Sequence, residues 1–193
     1  MTLLIAGLAL FFISHSISII NEPWRNRMAA QLGETVWQGL YGLVALAGLV
    51  FIVWGYGLAQ QTPVPLYTPP PWARSANLLL MLPVFPLLVA TYFPGRIGAA
   101  VKHPMLLATL LWALAHLVVT GTLASLLLFG CFLIWAIADR LSMRQRVQRP
   151  LLGAPPSAWN DLIALLAGLA LYVSFLFWLH GWLFGVAPIV QTF

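Results

Sequence analysis

Acid is scarce in this chain. Four Asp and Glu stand in 193 residues, only 7% of residues are charged, 62% are hydrophobic and the mean hydropathy is +0.94. Soluble domains carry about a quarter charged residues, so this composition describes an integral membrane protein, all-α and too long for a single anchor. No Asp or Glu falls inside an apolar run; Asp139 and Asp161 sit at the ends of such runs. A proton- or cation-coupled carrier ordinarily needs such intramembrane carboxylates. Cysteine is limited to Cys131, which excludes an intramolecular disulfide, and there is no C-x-x-C-H site for covalent haem. Serine–histidine–acid sets, phosphate loops and the H-E-x-x-H metalloprotease motif are also missing. The net charge of +5 does not imply a nucleic-acid partner. Its basic residues lie in short loops between apolar segments, which is a membrane-orientation pattern, and the expected partner is the lipid bilayer.

What is present is a series of apolar runs. A span needs about 17–25 mostly apolar residues, and six segments qualify approximately: Thr2–Ile20, Thr35–Ala59, Ser75–Tyr92, Pro104–Val119, Thr122–Ala138 and Asp161–Phe184. The expected architecture is a bundle of about six transmembrane helices forming one domain over residues 1–193. The first run lacks a basic leader and a small-residue cleavage site, and reads as a retained helix. Pro104 suits the first turn of span four, and Gly121 breaks the run between spans four and five. Pro83 and Pro86 predict a kink in span three. The proline-rich stretch 61–72 should be stiff and extended. Of the nine Lys and Arg, eight fall in the odd-numbered loops and only Arg74 on the even side. Under the positive-inside rule both termini then face away from the cytoplasm. Arg140, Arg144, Arg146 and Arg149 read as a cytoplasmic cluster facing anionic lipid, and Trp24, Trp37, Trp72 and Trp159 as interfacial anchors.

The chemistry-bearing residues are four histidines. His103 stands at the predicted cytoplasmic edge as a headgroup-level or helix-start residue. His180 lies near the opposite edge between Trp178 and Trp182, where an aromatic-belt role suffices. His15 and His116 are interior. Phe11 and Phe12 precede His15 at i−4 and i−3, with Ser18 at i+3; Trp112 and Thr109 precede His116 at i−4 and i−7, with Thr120 at i+4. Each spacing puts the group on one helical face. An intramembrane histidine is a functional-site candidate by default, although each could simply hydrogen-bond a neighbouring helix. Taken together, two neutral imidazoles from different helices suit opposed ligation of one iron, with the porphyrin edge-on between helices. Phe11, Phe12 and Trp112 are candidate walls. Their depths are in tension. His116 lies some 18 Å above the cytoplasmic start of its span and His15 about 7–8 Å from that face. An extension of span one toward Glu22 or Trp24, or a tilted helix, would relieve this.

The segments His103-Pro104-Met105-Leu106-Leu107, Leu111-Trp112-Ala113-Leu114-Ala115-His116-Leu117, Gly121 and LASLLLFGCFLIWAIADR, with His15-Ser16 in span one, resemble the NnrU family of bacterial membrane proteins over nearly the whole chain. The spacing of His103-Pro104 to Ala115-His116 is the specific part. The resemblance implies an inner-membrane location and a role near denitrification and nitric-oxide metabolism. The family is in turn similar to plant zeta-carotene isomerase, which uses non-covalent haem b. That similarity implies iron ligation at His15 and His116, and matches His103 to the isomerase's own His-Pro motif. A further isomerase histidine has no counterpart, the region here reading Ile134-Trp135-Ala136. Thr120 and Thr122 also stand where the family often has Asn and Asp. The leading expectation is therefore a haem b protein of redox or nitric-oxide-related function, with a redox partner or a hydrophobic small molecule as its further partner. The alternatives are a haem-dependent cis–trans isomerase of a carotenoid-like polyene and a haem-free scaffold or small-solute carrier.

Overall fold

The computed structural model describes residues 1–146 and 152–189. Its helices in chain order are α1 (Thr2–Ile20), α2 (Glu22–Leu32), α3 (Glu34–Ala59), α4 (Ala73–Met81), α5 (Val84–Tyr92), α6 (Arg96–Val101), α7 (Pro104–Val119), α8 (Leu123–Ser142), α9 (Asn160–Ser174) and α10 (His180–Phe184), with a π-helical turn at Phe175–Leu179 between the last two. Among the described residues five stretches are long and apolar enough to cross a membrane: Thr2–Ile20, Glu34–Ala59, Ala73–Tyr92, Leu123–Ser142 and Asn160–Phe184. The sixth expected span, Pro104–Val119, is apolar but shorter. The protein is an all-helical, multi-pass membrane bundle.

The expected span ends hold closely, because the apolar runs are bounded by residues that stop helices. Leu82 and Pro83 separate α4 from α5, as two prolines with no N–H to donate require. The loops between spans contain more structure than expected. α2 forms in the polar stretch after span one, where the Asn21 side chain accepts from the Trp24 N–H at 3.0 Å and a proline occupies the first turn. α6 forms before Lys102, whose φ of 64° turns the chain toward α7. The same Asn21 is non-helical (φ −149°, ψ 73°) and ends α1 at Ile20. Span one therefore does not extend toward Trp24.

The chain divides into two compact units, each assembled from distant segments: Met1–Pro69 with Thr120–Gln148, and Pro70–Val119 with Arg149–Phe193. In the first unit α1 packs along α3 and α8 along both. The α1–α3 seam is made close by glycine: a Cβ on Gly7 would stand 2.6 Å from the Ile52 nitrogen, one on Gly48 2.8 Å from the Phe11 nitrogen, and one on Gly55 against the Leu4 backbone. Small residues of this kind let helix backbones meet where lipid supplies no hydrophobic drive. The proline-rich stretch forms no helix and is tied to the start of α8, with Pro65 bridging Thr122. The Leu66 N–H donates to the Gly121 carbonyl at 2.7 Å and the Leu123 N–H to the Val64 carbonyl at 2.9 Å. A side chain at 121 would collide with the Tyr67 carbonyl, so this junction needs its glycine.

The second unit is centred on α5, with Val84, Leu87 and Ala108 buried together and Leu111 and Trp112 packed against them. α9 lies along α5, and α7 along α4 and α5. Asp161, expected at a span end, accepts from the Arg96 and Ile97 N–H groups at 2.9 and 3.0 Å. It thereby satisfies orphan donors at the start of α6. Buried Asn160 donates to the carbonyls of Pro94 and Pro155 at 2.8 and 3.0 Å. The other span-end carboxylate, Asp139 in the first unit, is paired with Arg146.

Candidate functional site

Each interior histidine is built by its own helix. In the first unit α1 carries His15, whose Nδ1 donates to the Phe11 carbonyl at 2.8 Å. Ser14 Oγ donates to the same carbonyl, also at 2.8 Å. Phe11 stacks on the imidazole, ring centres 3.9 Å apart and planes 19° apart. Tyr41 of α3 approaches at 5.2 Å and Trp135 of α8 edge-on at 5.7 Å. Phe12 meets Phe132 and Trp135 at 4.9 and 6.0 Å. Of the two expected walls, Phe11 covers a face of the ring and Phe12 joins an aromatic cluster with Phe132 and Trp135. The Ile134-Trp135-Ala136 stretch thus supplies the indole at this ring. Trp135 Nε1 is buried with no hydrogen-bond partner among the described residues.

In the second unit α7 carries His116. Its Nδ1 donates to the Trp112 carbonyl at 2.8 Å, and the Trp112 ring lies 5.3 Å away at 51°. Asn77 of α4 donates to the carbonyl of Ala115, the residue before it, at 2.9 Å. The near neighbour that sequence spacing did not suggest is His180. Its ring centre lies 6.4 Å from that of His116, with planes 17° apart. His180 Nδ1 donates to the Val186 carbonyl at 2.7 Å, and Phe184 meets its ring edge-on at 5.0 Å. His103 stands at the start of α7, its carbonyl accepting from the Leu107 N–H at 3.1 Å.

A carbonyl only accepts, so in each of the three hydrogen bonds Nδ1 bears the proton and the lone pair of the neutral imidazole resides on Nε2. A backbone partner on one ring nitrogen is the usual means of fixing the tautomer of a ligating histidine. The residues therefore fit an imidazole-bound iron by their donor chemistry. Among the described residues no group of three or more His, Cys, Asp or Glu is gathered in the manner of a non-haem metal centre. His15 and His116 fall in different units, each with its own surroundings. Of the basic cluster after α8, Arg146 is engaged by Asp139, and Arg149 lies outside the described residues.

A sequence model described as NnrU protein matches residues 3–188. The chain belongs to the NnrU family. The NnrU match runs through both compact units and contains His15, His103, His116 and His180. Comparison with curated proteins found no match, and comparison with solved structures found none.

Proposed function

We propose that this NnrU-family chain is a haem b-binding protein of the bacterial inner membrane, acting in redox or nitric-oxide-related chemistry that supports denitrification. The observation that carries the reading is the shared geometry of the interior histidines. His15 and His116 each lock Nδ1 on the carbonyl four residues earlier, which puts the lone pair of each neutral imidazole on Nε2. A polar group is costly in a membrane span, and intrahelical locking of this kind satisfies one ring nitrogen within the helix itself. Phe11 and Trp112 add apolar ring surface beside the two imidazoles.

In this reading His116 is an iron ligand, and Trp112 contributes apolar surroundings beside it. Haem bound through two imidazoles supplies one-electron exchange without an open coordination position. The chain's own residues then orient the imidazoles and exclude water. The eight-to-one distribution of basic residues supports both termini in the periplasm.

The test is the absorption spectrum of the protein purified in detergent after haem-replete expression. A Soret band is expected, abolished or shifted in His116→Ala and unchanged in His103→Ala. Absence of the band in the wild-type protein overturns the proposal, and an unchanged spectrum in His116→Ala removes His116 from the ligand set.

A further inference from the structure

His116 and His180 come from helices more than sixty residues apart in sequence, yet they meet within one compact unit with near-parallel rings. Their spacing has a chemical meaning. With metal–imidazole bonds of about 2.0–2.1 Å, and roughly 1.1 Å from nitrogen to ring centre, two rings on opposite sides of one metal have centres about 6 Å apart. The observed separation is 6.4 Å. Both Nδ1 atoms are committed to backbone carbonyls, so each ring carries its lone pair on Nε2.

The surrounding chain is arranged to hold this pair. The π-helical turn at Phe175–Leu179 ends where His180 begins. A π turn accommodates one extra residue, which rotates everything after it by about 100° relative to a continuous α-helix. Gly185, at φ 70°, ends α10 and lets the chain present the Val186 carbonyl to His180. That tail is fastened by Arg74, whose Nε and Nη2 donate to the Pro188 carbonyl at 2.9 and 2.5 Å. One turn along α4, Asn77 fastens the backbone beside His116. A single helix thus braces the segments carrying both imidazoles, the outer-shell support that ligating histidines usually have.

We propose that His116 and His180 form a two-imidazole metal site within the second unit, and that His180 is the partner of His116 on the iron. The occupant rests on the haem reading above; the choice of His180 over His15 as partner is independent of it. The experiment is haem titration of the haem-depleted full chain in detergent, followed by absorption and electron paramagnetic resonance. The wild-type protein is expected to give a low-spin bis-imidazole signature. His180→Ala is expected to become high-spin and to recover the low-spin form on addition of free imidazole, while His15→Ala stays low-spin. His180→Met keeps an unbranched apolar chain in the span and is expected to give a distinct low-spin spectrum, which guards against misfolding of the alanine variant. If His180→Ala stays low-spin and His15→Ala becomes high-spin, the pair is refuted and the haem reading stands. If the wild-type protein takes up no haem, the haem reading fails and the pair is tested with Zn²⁺ alone. Zn²⁺ affinity should then drop in both His116→Ala and His180→Ala by more than the roughly 10–100-fold that loss of an outer-shell partner costs, and equal Zn²⁺ uptake by all three proteins overturns the site.

Discussion

Trp135 and Asp161 show opposite ways in which one polar atom is accommodated. The Trp135 indole N–H is buried beside His15 without a partner among the described residues. Such a donor costs about 1–3 kcal/mol. Replacing it with phenylalanine removes the donor and some packing volume together, so Trp135→Phe should leave unfolding in detergent within about 1 kcal/mol of wild type. A loss well beyond that would mean that the N–H has an acceptor, such as a ligand group or lipid, in the working protein. Asp161 is the satisfied case. Its carboxylate receives two N–H groups at the start of α6, so Asp161→Ala should cost about 0.5–2 kcal/mol in the same assay, with Asp161→Asn retaining part of it. Equal stability of the alanine variant and wild type would show that water replaces the carboxylate at no cost. The position of Asp161 at a span end was visible in the sequence. Its acceptor role was not, because the helix it caps lies some 65 residues earlier in the chain.

Helix ends were legible wherever an apolar run meets a helix breaker, and illegible elsewhere. Ile20, Ala59, Tyr92 and Val119 end helices as read from the residues. α2 escaped because it is polar and α6 because it is only six residues long, so neither carries a long apolar run. The π turn escaped for a different reason: spacing arguments assume a constant 3.6-residue period, and one extra residue moves His180 to another face. Deleting Leu176 should therefore restore α-helical register, separate His180 from His116 and remove the low-spin signature expected for their pair, while leaving the protein membrane-inserted. Retention of that signature would show that the turn does not set the position of His180. Packing of whole helices can be tested on α3. Gly55 faces the Leu4 backbone, whereas a Cβ on Gly57 would meet nothing within 4 Å. Gly55→Ile should cost at least about 1–3 kcal/mol by overpacking the α1–α3 seam, with Gly57→Ile close to neutral. Equal effects of the two would refute the close-packed seam.

At the scale of the whole chain, local periodicity identifies spans but not their grouping. The association of Met1–Pro69 with Thr120–Gln148, and of Pro70–Val119 with Arg149–Phe193, depends on contacts between segments tens of residues apart, which no run of residues records. Orientation is different, since it depends on charge counts and can be predicted without any tertiary contact. Eight of nine Lys and Arg lie in the loops assigned to one side. Short loops rich in Lys and Arg are retained on the cytoplasmic side rather than translocated, so an eight-to-one bias favours one topology. Cys131 is the only native thiol, and its replacement by alanine leaves a background for single-site labelling. Thr62 and Gln31 are both exposed and lie on opposite sides of span two, in the proline-rich stretch and in α2. In intact spheroplasts a membrane-impermeant maleimide should label Thr62→Cys, while Gln31→Cys should react only after lysis. The reverse pattern would place both termini in the cytoplasm. It would also put the His116–His180 end of the second unit on the cytoplasmic side, and with it any redox partner that reaches that pair.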